Sequence, residues 1–139
     1  MATDNYYYTI SANGILNFKT TANVLKGKIT LPTHGYSFEA KKDVDITTIN
    51  QFGSRTSDII HPEITHIFWE TGRESQLTNI GTYAFAGWKK LQYVELPQYN
   101  IKVNVRAFSG IPFLFKNVPI NNFIEFFRKI SVINYGGFY

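Results

Sequence analysis

Apolar residues in the middle of the chain recur at a fixed spacing. Ala-Phe-Ala-Gly at Ala84–Gly87 returns as Ala-Phe-Ser-Gly at Ala107–Gly110, so the shift in numbering is 107 − 84 = 23. The same shift pairs Ile80 with Val103 and Leu91 with Leu114, whereas Leu96-Pro97 returns as Val118-Pro119 at a shift of 119 − 97 = 22. A period in this range is typical of stacked repeats, because a unit so short cannot bury its apolar side alone. The pattern predicts two repeat units that lie one above the other.

Earlier parts of the chain carry weaker copies of the repeat strand. Ile64–Trp69 matches Leu91–Leu96 in its apolar positions at a shift of 91 − 64 = 27, and Thr71–Ser75 then forms the loop that lengthens this unit. Leu25–Pro32 echoes the same strand with one residue more, and it is either a degenerate repeat strand or an unrelated one. Residues 33–61 have the least regular pattern. Within them only Asp45–Ile49 indicates extended chain.

Two runs rich in strand-forming residues flank Ala12-Asn13-Gly14 and predict a β-hairpin. A two-residue Asn-Gly loop would set Ile10 opposite Asn17. We prefer a three-residue loop with Gly14 in the left-handed conformation, because it gathers apolar side chains on one face. The resulting pairs are Ile10 with Leu16 and Tyr8 with Phe18. We expect residues 1–24 to form a hairpin arm, which either docks on residues 25–139 or binds another subunit through its open edge.

An amphipathic helix is predicted over residues 121–130. The apolar residues Phe123, Phe126, Phe127 and Ile130 follow the spacing of one helical face. Asn122 and Glu125 have the spacing of a capping box, and Glu125 with Lys129 forms a favourable i, i+4 pair. A helix of this kind at the end of a repeat stack is typical of a terminal cap.

The phrase Ile80–Pro97 resembles the repeat of the BspA-type leucine-rich repeat family, with Ile-Gly, Ala-Phe, a small residue and Gly, then Leu and two spaced aliphatics before Pro. Trp88 stands where a cysteine is common. In the second copy Asn104 replaces the glycine, and Pro112-Phe113 disturbs the middle. The resemblance covers about a third of the chain. It implies a short solenoid of parallel strands whose Ala-Phe turns place Phe85 and Phe108 in the interior.

On that geometry the strand side chains divide into two sets. Leu91, Val94 and Leu96 point inward, and Gln92, Tyr93 and Glu95 point outward. The neighbouring strands would add His66, Phe68, Phe115 and Lys116 to the outward face, with the rings of Phe68, Tyr93 and Phe115 in a ladder. That face is either a recognition surface or is covered by the N-terminal hairpin. We therefore name the following candidate partner-binding residues: His66, Phe68, Gln92, Tyr93, Glu95, Phe115, Lys116, Tyr6, Tyr7 and Tyr8.

Composition limits the class of protein without naming an activity. With 139 residues and 44% hydrophobic residues, the chain fits one mainly β domain with a real core. The aromatic fraction of 17% exceeds what that core needs, and exposed rings favour a protein partner. The charge of +4 is scattered as pairs of basic residues rather than gathered on one face. No cysteine is available for a disulfide or a thiolate metal site, and no apolar run is long enough for a membrane span or an export signal.

Residues that carry chemistry form no recognisable site. His34, His61 and His66 lack the spacing of metal ligands, and no glycine pattern matches a nucleotide-binding loop. The acid pairs Asp43 with Asp45 and Glu70 with Glu74 leave a small hydrolase or glycan-active enzyme as a third alternative. We expect no catalytic residue, no cofactor and no metal.

The sequence therefore favours a non-enzymatic module that binds other protein subunits, as a homo-oligomer or in a larger assembly. The family resemblance implies a surface adhesion protein. The lack of an export signal equally fits a structural component of a phage virion. The alternative is a nucleic-acid-binding module that uses neighbouring aromatics and these basic residues: Lys89, Lys90, Arg106, Lys116, Arg128 and Lys129.

Overall fold

The computed structural model describes residues 7–51, 62–134 and 136–138. The protein is mainly β with one α-helix near the C-terminus. The strands are β1 (Tyr8–Ile10), β2 (Ile15–Phe18), β3 (Lys26–Leu31), β4 (His34–Ser37), β5 (Lys42–Asp45), β6 (Thr48–Gln51), β7 (Glu63–Trp69), β8 (Asn79–Ile80), β9 (Tyr93–Val94), β10 (Ile101–Val103) and β11 (Ile130–Ile133). A 3-10 helix spans Thr20–Val24, and helix α1 spans Ile120–Arg128. Neither helix is long and apolar enough to cross a membrane, within the ranges given above.

The strands form two parallel arrays joined by alternating connections. A six-stranded sheet has the order β1-β2-β6-β8-β10-β11, and only its β1–β2 pair is antiparallel. A parallel three-stranded sheet has the order β3-β7-β9, and β4 and β5 form a separate hairpin. From β2 to β10 the chain passes from the larger sheet to the smaller and back. Each such passage adds one layer to the structure.

Equivalent residues of successive layers lie side by side in the larger sheet. Leu16 pairs with Ile49, Ile49 with Ile80, and Ile80 with Val103, and all four side chains are fully buried. In the smaller sheet Ile67 pairs with Val94 and both are fully buried, which confirms the predicted alignment of Ile64–Trp69 with Leu91–Leu96. β3, which the sequence pattern leaves open as a repeat strand, extends this sheet on the other side of β7.

The two Ala-Phe turns stack one on the other, as predicted. The Phe85 backbone N–H donates to the Ala107 carbonyl oxygen at 2.8 Å. The Phe85 and Phe108 rings are stacked, with 5.4 Å between their centroids and 21° between their planes. Both rings are buried.

A third turn at Gly136–Phe138 continues the stack, and the sequence pattern did not predict it. The Phe108 N–H donates to the Gly137 carbonyl oxygen at 2.7 Å, and Phe138 stacks on Phe108 with 5.1 Å between centroids and 6° between planes. All three turns contain a left-handed residue two positions before the phenylalanine: Tyr83 (φ 60), Arg106 (φ 55) and Gly136 (φ 66). The shared backbone conformation shows that the third turn is built like the first two.

The N-terminal hairpin has the predicted register. Tyr8 pairs with Phe18 and Ile10 with Leu16 around a three-residue loop, and Gly14 has a φ of 81°. A Cβ at Gly14 would collide with the Asp45 carbonyl oxygen, so this position also needs glycine for space. The described part of the expected arm is integrated into the body, because β2 lies between β1 and β6 in the larger sheet.

The extended chain predicted over Asp45–Ile49 is shared between two strands. Asp45 ends β5, in the small hairpin, and Thr48 begins β6, in the larger sheet. Thr47 lies between them and bonds to the N-terminal hairpin, where its N–H donates to the Gly14 carbonyl at 2.8 Å. The chain therefore changes partners inside a stretch that reads as uniformly extended.

Helix α1 confirms the predicted C-terminal helix but corrects its details. It begins at Ile120 after Pro119, and Asn122 does not cap it, so the predicted capping box is wrong. Glu125 pairs with Arg128 at 3.8 Å rather than with Lys129. The Lys129 ammonium instead donates to the Leu96 carbonyl oxygen at 2.9 Å, which connects the end of the helix to the layer that contains β9.

Candidate interaction surface

The end of the molecule that carries β1 is covered by the chain itself. Tyr8 and Ile10 of β1 are buried, and the β4–β5 hairpin lies against their strand. The Ala12 N–H donates to the Glu39 carboxylate at 2.6 Å. A Cβ built on Gly35 would lie only 2.6 Å from Cδ1 of Ile10, which shows how closely the two hairpins approach. We call this surface the covered end.

The opposite end presents β11, whose only strand neighbour in the described part of the chain is β10. Ile133 pairs with Val103 and continues the ladder of buried aliphatic residues, yet it is 49% exposed while Val103 is fully buried. The adjacent Val132 is 44% exposed. Ile133 lacks the cover that the next layer gives to its equivalents, whereas Val132 pairs with the exposed Lys102 on the solvent-facing side of the sheet. β11 contains neither a charged residue nor a proline, which commonly protect edge strands.

Aromatic rings extend this apolar surface from β11 to helix α1. Phe138 contacts Phe127 at 5.3 Å between centroids, and Phe127 contacts Phe123 at 5.0 Å. Phe123 is 38% exposed, and Ile120 and Ile124 on the same helix are also exposed. We call β11, Phe138 and the outer side of α1 the open end. A contiguous apolar patch of this kind marks an interaction site on a soluble protein.

The predicted outward ladder of rings on the smaller sheet is wrong at Tyr93. Tyr93 is 8% exposed, and its ring contacts Phe126 of α1 at 6.4 Å and bonds to the Asn122 side chain. Burial raises the pKa of Tyr93, the Asn122 bond opposes this shift, and nearby glutamates add to it. Phe115 packs against Phe126 at 4.9 Å and is partly buried. The helix therefore covers this part of the face, rather than the N-terminal hairpin.

The rest of the predicted face stays partly accessible on β7. His66 and Phe68 lie parallel, with 6.1 Å between ring centroids and 13° between planes, and both are partly exposed. Burial and then the Lys28 ammonium lower the pKa of His66. Gln92 and Glu95 are partly buried, and the Glu95 carbonyl accepts a 2.8 Å hydrogen bond from Nε1 of Trp69. These side chains form a narrow strip across two neighbouring layers, and not a continuous ladder.

The remaining candidate residues lie apart from this strip. Lys116 is exposed, with its ammonium 5.1 Å from the ring centre of Phe113. Tyr7 and Tyr8 meet edge to face at 4.8 Å, and Tyr8 is buried, which corrects its expected exposure. Burial, followed by Tyr7 and the Glu70 carboxylate, raises the pKa of Tyr8 well above its usual range. Tyr6 lies outside the described residues.

A polar cleft of about 480 Å³ contains the acidic loop that the sequence offers for catalysis. Arg73 of this loop pairs with Asp45 at 2.9 Å and with Asp43 at 3.4 Å. Asp43 also contacts Nδ1 of His34 at 2.9 Å. Glu70 and Glu74 line the same cleft. The Asp43–Asp45 pair thus serves an ion-pair network that ties the β4–β5 hairpin to the loop after β7.

No metal-binding group of three or more His, Asp or Glu side chains occurs among residues 7–51, 62–134 and 136–138.

The open end was not predicted from the sequence. Its usable signal was Ile-Ser-Val-Ile, a strand without charged residues. No protein-family description, no curated protein and no solved structure matches this chain.

Proposed function

We propose that this protein is a non-enzymatic binding and assembly module, built as a short BspA-type leucine-rich repeat solenoid that begins with a β-hairpin. It joins other protein subunits, either in a cell-surface adhesion protein or in a phage virion. Support for the repeat assignment comes from the buried ladder Leu16, Ile49, Ile80 and Val103 and from the stacked Phe85 and Phe108 rings. The layered body supplies a rigid support for a docking surface.

The observation that carries the proposal is the difference between the two ends. At the covered end β1 is packed under the β4–β5 hairpin. At the open end Ile133 occupies a position equivalent to fully buried residues and is half exposed. Side chains suited to a protein interior are stable in water only at a free-energy cost, which binding a protein partner removes. Within the described part of the chain the outer edge of β11 is also without a strand neighbour, and its backbone groups can bond to a partner strand.

Multi-angle light scattering of the purified chain tests this proposal. We expect defined multimers whose mass does not change between low and high salt, because the open end is apolar rather than charged. A monomer at every concentration and salt would contradict the assembly function. If that monomer bound a single-stranded oligonucleotide only at low salt, the nucleic-acid alternative would replace our proposal.

A further inference from the structure

Resting on this proposed function, we propose that the partner at the open end is a second copy of this chain. The two copies are related by a two-fold axis, and β11 of one pairs antiparallel with β11 of the other. This joins two six-stranded sheets into one continuous sheet. Three features support the pairing: the edge geometry of β11, the cover at the opposite end, and the charges around the strand.

The edge of β11 is suited to strand pairing. It has a strand neighbour on one side only, within the described part of the chain, and its exposed side chains Val132 and Ile133 are strongly strand-forming. A bulge limits the pairing: Ile101 pairs with Ile130 and Lys102 with Val132, so Ser131 is the extra residue of β11. Because bulges disturb a strand edge, we place the new contact around Val132 and Ile133, beyond the bulge.

The cover over β1 limits the symmetry with which two copies can associate. Head-to-tail stacking would require β11 to pair with β1, and β1 packs against β4. The contacts of Ala12 with Glu39 and of Gly35 with Ile10 hold that hairpin in place. We therefore place the contact between two open ends. Such a contact is isologous, uses the same surface twice and closes at a dimer, whereas head-to-tail contacts would grow into a fibre.

The charges around β11 are compatible with a like partner. Residues 130–134 carry no charge, so no like charges face each other along the paired strands. Arg128 and Lys129 precede β11, and antiparallel pairing places both near the uncharged turn Gly136–Phe138 of the other copy. The Arg128 side chains of the two copies then lie at opposite ends of the strand pair. Each is also paired with Glu125 of its own helix at 3.8 Å.

Single cysteines test the geometry without background, because the natural chain has none. We would make Ser131→Cys, Val132→Cys and Ile133→Cys, with Thr9→Cys on β1 as the control, and expose each to a mild oxidant. In two identical antiparallel strands only the residue nearest the axis faces its own copy. The Cα separation of such a pair, about 4.5–5.5 Å, lies within the disulfide range. We expect one of the three variants to give a disulfide-linked dimer in several-fold higher yield than Thr9→Cys.

Val132→Lys provides a second readout that does not depend on oxidation. A lysine on the exposed edge leaves the monomer folded, as circular dichroism checks. It weakens the dimer by roughly tenfold, because a charged edge residue opposes strand pairing and the two lysines would face each other across the paired strands. Thr9→Lys, at the exposed residue of the covered end, should leave the mass unchanged. Light scattering at several concentrations measures both variants.

The outcomes separate this inference from the proposed function. Multimers that survive Val132→Lys, together with no cross-link from β11, would refute the two-fold pairing and leave the assembly function standing. Equal cross-linking of all three β11 variants and Thr9→Cys would indicate random collision and also refute it. A chain that is monomeric at every concentration would refute both.

Discussion

Replacing Phe108 by alanine tests whether the layers support one another. Phe108 is 1% exposed and lies between the rings of two neighbouring turns, with Phe85 at 5.4 Å and Phe138 at 5.1 Å. A third ring, Phe126 of α1, meets it edge to face at 5.9 Å. The change removes contacts to two layers and to the helix at once. It leaves a cavity that stacked backbone cannot readily close.

The expected loss follows from these contacts. Truncating a buried phenylalanine costs about 3–5 kcal/mol, which includes lost burial and the remaining cavity. Because Phe108 has three aromatic partners, we expect the upper half of this range, about 4–5 kcal/mol. A domain is stable by about 5–15 kcal/mol, so the variant should be close to unfolding. Phe113→Ala is the matched control, because Phe113 lies in the same repeat and is 41% exposed; its loss should stay at about 1 kcal/mol.

Urea unfolding, followed by tryptophan fluorescence, measures both variants. Trp88 is a suitable reporter because it is buried beside Phe85 at 5.0 Å. The protein concentration must be the same throughout, since self-association raises the apparent stability. If Phe108→Ala and Phe113→Ala lowered the free energy of unfolding by the same amount, Phe108 would not support both neighbouring layers, and the stacked arrangement of the turns would be refuted.

Three further predictions concern other contacts. A Cβ at Gly81 would lie 2.7 Å from the Ile49 carbonyl oxygen, so Gly81→Ala should cost about 1–3 kcal/mol; an unchanged midpoint of urea unfolding would contradict this close approach. Burial raises the pKa of Tyr8 in the folded protein. The neutral Tyr8 hydroxyl therefore contributes its full stability below the pKa of about 10 that tyrosine has in the unfolded chain, and this contribution is lost as the pH rises above that value. Tyr8→Phe should remove this loss of stability at alkaline pH, and denaturation curves identical to those of the natural chain would contradict the prediction. Lys28→Gln should move the lowered pKa of His66 back towards its usual value in an NMR titration, and no movement would leave burial as the sole cause.

The stacked turns were predictable because the sequence repeats its phrase with little change. Phe85 and Phe108 share their flanking Ala and Gly, and the register between their turns is the same as the sequence shift. The third turn was missed for a physical reason. Helix α1 lies between the second and third turns, so Phe138 follows Phe108 at a longer spacing than Phe108 follows Phe85. Its Gly-Gly replaces Arg-Ala, so neither spacing nor residue identity marks it.

The exposure of individual side chains was less predictable than the strands. Alternation along Leu91–Leu96 assigns Tyr93 to the outside of the layers. Helix α1 packs over that side of the sheet and buries Tyr93 nevertheless. Strand periodicity reports which side of a sheet a residue occupies and carries no information on what packs against that side. The same limit hid the open end, because Val132 and Ile133 have the composition of core residues.

The unequal numbers of strands in the two sheets explain where the exposed apolar surface lies. The larger sheet contains five parallel strands in the described part of the chain, β2, β6, β8, β10 and β11, while the smaller sheet contains three. Beside β9 the Phe115 backbone N–H donates to the Gln92 carbonyl oxygen at 2.6 Å, so one more stretch of chain continues the smaller sheet without forming a strand. Helix α1 covers the outer face at this level, where Phe126 contacts Tyr93. Among the described residues β11 has no counterpart in the smaller sheet, although its Phe138 turn packs against Phe126 and Phe127 of α1. The end of the stack is therefore a step rather than a flat face. Helix α1 lies over the outer face of the smaller sheet and buries Tyr93, whereas no described layer lies beyond β11, which leaves Ile133 half exposed.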